Sequence, residues 1–553
     1  MANAVFWICF ALLVIALLVS SVFQSRQKKA AERENLKKAF ESGYDACFDA
    51  KRFDQGCELF ARMKELYPDD FVIDDITASD LMLKELYLRM NRSTTNAGED
   101  WLYSRFRMMH RDQADADRTY NGILVLSRDK AKAVELMYVL GRRKKMHDTD
   151  AYRLIRDLSG AECKSVLSDV FPLFVLILSV AACAYFPVAG LVAVIISICL
   201  CIGMYFSGKA AMDENLRGLA LCLMYIRYGR ELLSAGRDEF GRFTDLFGLS
   251  KAAFLISYKD GTTSNPLSIL ADYVRMITHV DLIAYKMKLK AVKEKIDSIS
   301  DLYIETGRLD ACLAVASFLN SRDHCGVTAC DVNKVSAKDL YHPLIAHPVR
   351  NDIDTTRGII LTGSNASGKS TFLKAVGVSA LFAKSFGFAF ASSFASGCTR
   401  LYTSMALSDD LLGGQSYYVV EAASIKRICD AAAGRDRTLC IIDEVLRGTN
   451  TIERTAASTV ILRSLCTPNV ICLAATHDLE LPRLLEEKMD CCYFTEEIVG
   501  DSVEFPYLIQ TGISDRTNAI RLLSVLDFDK KIVDDANTLA DGFRKNGKWM
   551  KEE

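Results

Sequence analysis

The sequence lacks any excess of charge of one sign: 68 Lys plus Arg stand against 70 Asp plus Glu, for a net charge of −2 and a pI near 6.4. A polyanion therefore cannot be held by global attraction, and any nucleic-acid contact has to be a local patch. Paired cysteine motifs are missing too. The 18 cysteines are scattered, no C-x-x-C occurs, and Cys9, Cys183, Cys199 and Cys201 sit in apolar runs. That excludes a disulfide scaffold and reads as reduced, intracellular thiols. His324, Cys325 and Cys330 lack the second pair that a zinc site needs. Low-complexity composition is absent as well, since 50% hydrophobic and 25% charged residues make a folding chain. At 553 residues it is too long for one core.

Two long uncharged runs stand out. Val5 to Phe23 reaches about 28 Å as a helix, the thickness of a hydrocarbon core, and is followed by Arg26, Lys28, Lys29, Arg33, Lys37 and Lys38. Val170 to Phe206 would reach about 55 Å as one helix, and Pro187 and Gly190 near its middle turn it into a hairpin. Three crossings of the cell membrane are expected, with the basic residues and everything after Lys209 on the cytoplasmic side. The boundaries that follow are a transmembrane anchor over 1–24, a helical cytoplasmic region over 25–165, a transmembrane hairpin over 166–208, a helical lever region over 209–335 and a nucleotide-binding domain over 336–553.

Within the lever region Leu282, Tyr285, Leu289, Val292, Ile296, Ile299 and Tyr303 alternate spacings of three and four, a heptad seam on a long helix. Lys286, Lys290 and Lys293 share another face, which reads either as a phosphate-contacting stripe or as solvated surface. The tetrad Arg142-Arg143-Lys144-Lys145 carries the same two readings, with anionic lipid as a further partner for it.

The chemistry begins after the apolar strand Gly358 to Thr362, at Gly363-Ser364-Asn365-Ala366-Ser367-Gly368-Lys369-Ser370-Thr371, which runs into a helical pattern. This is a P-loop in its strand-loop-helix context. Its glycines let backbone N–H groups curl around phosphates, Lys369 reaches the β and γ phosphates, and Ser370 ligates Mg²⁺. A second buried strand, Leu439 to Ile442, ends in Asp443 and Glu444. Asp443 suits the Mg²⁺ shell and Glu444 suits activation of the attacking water. A third strand, Val470 to Ala475, ends in Thr476-His477-Asp478, with His477 placed to sense the γ-phosphate. The cofactors expected are ATP and Mg²⁺, and the fold expected is an α/β P-loop ATPase domain of ABC-like type, preceded by mainly α-helical regions with transmembrane helices.

Taken together these motifs resemble the ATPase domain of the MutS mismatch-repair family. Gly363 to Thr371 matches G-P-N-M-x-G-K-S-T, Asp443-Glu444 with Arg447-Gly448-Thr449 matches D-E-x-x-R-G-T, and Ala475-Thr476-His477 matches A-T-H. Gly414 to Glu421 resembles the G-x-S-T-F-x-x-E signature with Asp409-Asp410 ahead of it, and His342-Pro343 resembles the family's H-P entry. The resemblance implies facing ATPase domains in a homodimer, with Ser416 reaching the γ-phosphate held by the other subunit. Departures are Ser364 in place of the P-loop proline, Leu446 and Asn450 in the acidic loop, and Ser514 to Asn518 where S-K-S-Y-G would stand. No Phe-x-Glu wedge precedes the lever region, so mismatch sensing is not expected. Two functions remain open: a membrane-anchored dimeric clamp with ATP-dependent DNA binding, and a membrane-tethered ATPase switch acting on a protein or lipid partner.

Overall fold

The computed structural model describes residues 20–546 apart from 21–22, 25, 43–50, 144, 147–148, 163–164, 251–265, 329, 365–366, 406–416, 448–449, 500–501, 514–519, 521–522 and 524–527. The expected first span therefore lies almost wholly outside the described residues. The chain folds into two compact units. One comprises residues 1–65, 89–104 and 125–320, and the other 66–88, 105–124 and 321–553. The region expected over 25–165 is thus shared between them: two of its segments fold with residues 321–553.

The first unit is helical. Leu167–Ala182 (α1) and Pro187–Ala210 (α2) pack as an antiparallel pair. Pro187 opens α2 at its first turn, where its missing N–H costs nothing. The arms can approach closely at Gly190, where a Cβ would fall 2.6 Å from the Cys183 backbone. Between them the hydroxyls of Ser179 and Ser197 meet at 2.9 Å. The outer surface is apolar and uncovered, with Phe171, Phe174, Ile177, Leu191, Ile195 and Ile196 all exposed. Among the described residues α2 alone is long and apolar enough to cross a membrane. The sixteen residues of α1 reach only about 24 Å, short of a ~30 Å core. The expected count of three crossings is therefore not supported, although the hairpin itself is present.

Asp213–Ser234 (α3), Val280–Lys293 (α4) and Ile296–Leu319 (α5) contribute to the core of this unit together with Lys130–Gly141 and Ala151–Asp157. Every residue of the expected heptad seam is buried. The single long helix is not formed, however, because a turn at Glu294 and Lys295 separates α4 from α5, with Lys295 N–H bonding to Val292 O. The seam also packs inside its own unit: the Tyr303 ring lies 4.6 Å from that of Tyr225 on α3.

Two of the three lysines of the expected phosphate-contacting stripe are engaged internally. Lys286 pairs with Asp169 and donates to Ser165 O and Ser168 Oγ, while Lys293 donates to Ala161 O. Only Lys290 of the three is exposed. The basic tetrad is engaged in the same way, with Arg142 and Arg143 on Glu231 and Lys145 on Glu99. Lys144 is outside the described residues.

The second unit is built on a six-stranded sheet. In chain order its strands are Gly358–Thr362 (β1), Arg400–Ser404 (β2), Thr438–Asp443 (β3), Val470–Ala475 (β4), Met489–Phe494 (β5) and Ile509–Thr511 (β6), and their spatial order is β6-β5-β1-β4-β3-β2. All pairings are parallel except β5 with β6. The strands β1, β3 and β4 are buried throughout, as continuous apolar runs in a covered parallel sheet should be. Lys369–Ser385 (α6), Tyr417–Ala432 (α7) and Thr451–Ser464 (α8) are the principal helices of this domain. A second sheet, with Val335–Leu340 and Asn351–Thr355 as antiparallel neighbours, leads into the segment around His342.

The inserted N-terminal segment caps the edge strand β2. Thr77 Oγ1 accepts from Thr403 N–H, and Asp80 accepts from both Thr403 Oγ1 and Met405 N–H. Arg427 on α7 joins Asp74 to Thr403 O. An exposed strand edge is a liability, and here a short helix, Asp75–Asp80, covers it.

Candidate nucleotide site

Parallel strands deliver their C-terminal ends to one side of a sheet, the usual position for a ligand in such folds. Here β1 and β3 are separated by β4, so the loop after β4 falls between the P-loop and the acidic pair. The three sequence-predicted clusters therefore converge. They line one cavity of about 850 Å³ with Ser364, Ser367, Gly368, Lys369, Ser370, Thr371, Asp443, Glu444 and His477 on its wall. This lies in the size range of a small-molecule or cofactor site.

The P-loop needs glycine at two described positions. Gly363 has φ +143° and Gly368 has φ +105°, and a Cβ on Gly363 would meet Phe494 O at 2.7 Å. Ser367 is buried and donates to Ser364 O, which tightens the turn. Lys369 is folded onto the loop, with Nζ donating to Gly363 O at 2.8 Å and Ser364 O at 2.7 Å. Burial pulls its pKa below the ordinary lysine value despite the nearby Asp443, Glu444 and Glu496 carboxylates. Asn365 and Ala366 lie outside the described residues, as do Gly448, Thr449 and Ser416. Thr371 is exposed on the first turn of α6.

Ser370 Oγ donates to Asp443 Oδ2 at 2.5 Å. The hydroxyl and carboxylate that the sequence assigns to Mg²⁺ are thus neighbours, a hard-oxygen pair of the kind such an ion prefers. Nearby, Glu444 occupies a left-handed conformation at φ +64°, and Leu446 follows at φ +62°. Such strain clusters at functional sites and is held by surrounding bonds. Here Glu444 N–H donates to Ala475 O, and both oxygens of buried Glu421 accept from Arg447 N–H.

The Glu444 carboxylate is held on both sides. One oxygen meets His477 Nε2 and the other lies 2.7 Å from Arg447 Nε. His477 Nδ1 lies 3.1 Å from Gly363 O, so the imidazole links the acidic pair to the P-loop. Burial raises the Glu444 pKa, but His477, Arg447 and Lys369 outweigh it and keep the carboxyl below its usual value. The Glu444 carboxylate is therefore ionised at neutral pH, and both of its oxygens are engaged.

Several partners were not signalled by any local pattern. Ser364 Oγ donates to Glu496 at 2.7 Å, so the residue replacing proline ties the P-loop to the segment after β5. Asn450, a departure in the acidic loop, caps α8 by accepting from Ile452 N–H. Arg454 pairs with Asp478 beside His477. The capping use of Asn450 is readable from its residue type before a helix. The partners of Glu496, Glu421 and Arg454 have no signature in sequence.

Residues 359–544 match MutS domain V. The chain is 28% identical over 292 residues to the DNA mismatch repair protein MutS of Natronomonas pharaonis, covering 50% of this chain and 33% of the relative. To the protein of the same name from Synechococcus sp. (strain CC9605) it is 29% identical over 246 residues, 42% of this chain and 27% of the relative. The corresponding protein of Thermotoga maritima is 26% identical over 334 residues, 53% and 42%. The chain thus spans roughly a third of the length of these relatives. The matched segment contains the P-loop, the acidic pair and the Ala475-Thr476-His477 strand end. The C-terminal domain of the chain is thus similar to domain V of MutS.

Proposed function

We propose that this protein binds and hydrolyses ATP with Mg²⁺, as a dimeric MutS-like switch anchored at the cell membrane with its ATPase domain on the cytoplasmic side. The observation that carries the reading is the convergence of Lys369, Ser370, Asp443, Glu444 and His477 on one cavity. The P-loop amides and Lys369 hold the phosphates, and Mg²⁺ on Ser370 and Asp443 would supply charge neutralisation there. Glu444 orients and deprotonates the attacking water once one of its two partners lets go. His477 hands position from the acidic pair to the P-loop and so reports occupancy of the γ-phosphate site. Ser416 completes the site from the facing subunit.

The relatives are named for DNA mismatch repair, and ATP-dependent DNA binding by a clamp is the partner reading that follows for this chain. A second reading, a switch on a protein or lipid partner without DNA, draws support from the internal use of Lys286, Lys293, Arg142, Arg143 and Lys145. Exposed apolar residues along α1 and α2 support the membrane anchor. The test is nucleotide turnover by the full chain, wild type and Lys369→Ala, with DNA binding titrated against salt with and without ATP. Unchanged turnover in Lys369→Ala sinks the site. Salt-insensitive or absent DNA binding leaves only the second partner reading.

A further inference from the structure

Glu421, on the second turn of α7, is 2% exposed. Burying a carboxylate is costly unless hydrogen-bond donors or charges meet it, and buried helix positions ordinarily take apolar residues. What meets this one is backbone: the Arg447 N–H is shared between its two oxygens, at 2.9 and 3.1 Å. That N–H belongs to the loop after β3, where Glu444 and Leu446 both hold left-handed conformations that non-glycine residues seldom keep without support. From this fixed point the Arg447 side chain turns back onto the acidic pair. Its Nη2 donates to Asp443 O at 2.7 Å, and its Nε lies 2.7 Å from a Glu444 carboxylate oxygen.

We propose that Glu421 is a positioning residue for hydrolysis: by fixing the Arg447 backbone it keeps the guanidinium on Glu444, and so sets the orientation of the carboxylate that activates the attacking water. The inference rests on the ATP reading of the cavity and deepens it. Glu421 is not among the residues that line the cavity, whereas Arg447 and Glu444 are, so its influence runs through Arg447 and not through contact with nucleotide. A contact made only to pack α7 against the loop would be served by an apolar side chain. Here a charged group is buried instead, and its bonds land on a residue whose side chain reaches both acids of the pair.

The experiment measures ATP affinity by calorimetric titration and steady-state hydrolysis, both on the full chain. Glu421→Ala is expected to lose about tenfold or more in kcat, the scale of one buried hydrogen bond, with the ATP dissociation constant within about twofold of wild type. Glu421→Gln, which keeps one acceptor oxygen, is expected to retain most of the wild-type kcat. In an Arg447→Ala background, adding Glu421→Ala is expected to cost less than about twofold more, because the side chain it positions is already gone. Equal losses of kcat and ATP affinity, an unchanged kcat, a loss in Glu421→Gln as deep as in Glu421→Ala, or a full further loss in the double variant would each overturn the assignment. Should Glu421→Ala fold poorly, Glu421→Asp decides, since it keeps the charge but draws the oxygens back by one methylene: a lowered kcat with ATP affinity intact supports the role, and a wild-type kcat refutes it. Wild-type protein that neither binds nor hydrolyses ATP removes the ATP reading itself, an outcome visible before any variant is made.

Discussion

Lys286 on α4 places its ammonium 2.5 Å from Asp169 Oδ2, at the foot of the apolar hairpin, with the Ser168 hydroxyl 3.0 Å away. Both side chains are almost wholly buried, so each charge depends on the other. Lys286→Ala should destabilise the helical unit by about 3–5 kcal/mol, because an uncompensated carboxylate is left behind. Replacing both residues with apolar ones of similar size, Lys286→Met with Asp169→Leu, should recover most of that loss. Thermal melts of the full chain check this, and equal melting temperatures for single and double variants would refute the pairing. DNA affinity, if present, should not follow Lys286, since its ammonium is unavailable to phosphate.

The stripe shows where sequence reading ran out. Helical periodicity correctly groups Lys286, Lys290 and Lys293 on one face, but it carries no information about what covers that face. The covering atoms belong to Ala161, Ser165 and Asp169, more than a hundred residues upstream. The P-loop, by contrast, was legible because its chemistry is local: strand, glycine turn and helix are contiguous. The acidic pair and His477 were legible as strand ends, and parallel pairing then brings the strand ends together. Edge protection by Asp74, Thr77 and Asp80 had no such signal, since those residues lie over three hundred positions from Thr403.

Glu444→Gln should retain ATP and slow hydrolysis on the order of 10²-fold or more, since the amide cannot take the water's proton. Arg447→Ala tests the other side of the same carboxylate. With that cation gone, one of the charges that hold the Glu444 pKa down is lost and the pKa rises, so the acid limb of the kcat/KM profile should move to higher pH. A pH profile unmoved by Arg447→Ala would show that Glu444 is not the group titrating in that limb.

Asp80 is buried and accepts from Thr403 Oγ1 at 2.7 Å and Met405 N–H at 3.0 Å. Asp80→Ala orphans two buried donors, at about 1–3 kcal/mol each. Met405 also lines the cavity proposed for ATP, so ATP affinity should fall alongside the melting temperature. Asp80→Asn, which keeps one acceptor, should show the smaller effect on both. Full stability in Asp80→Ala would mean that the segment does not buttress β2.

His342 sets an acid limit on stability. Its pKa is near 4 in the fold against an ordinary value of 6.5, so the unfolded chain binds the proton first. The neutral-ring contribution is complete above about pH 6.5 and is lost as pH falls towards 4. His342→Phe should flatten that part of the stability curve. Identical acid sensitivity of the two proteins, followed by denaturant melts between pH 4 and 7, would count against a buried neutral ring.

The apolar face of the hairpin separates a membrane anchor from a surface awaiting a soluble partner. Ile195 and Ile196 are 56% and 63% exposed on α2, and Phe171 and Phe174 are 60% and 56% exposed on α1. In a bilayer such residues meet lipid, so a lipid-borne carbene reagent should label peptides from 167–206 in reconstituted vesicles. The same reagent should leave peptides from β1, β3 and β4 unmarked, because those strands are buried. Ile196→Lys places a charge near the middle of α2, where central charges cost about 2.5–3.5 kcal/mol on an insertion scale. That variant should be released by alkaline carbonate more readily than wild type. A hairpin that merely docks a soluble protein predicts no carbene labelling and no change in membrane retention, and that pair of results would remove the anchor while leaving the nucleotide site intact.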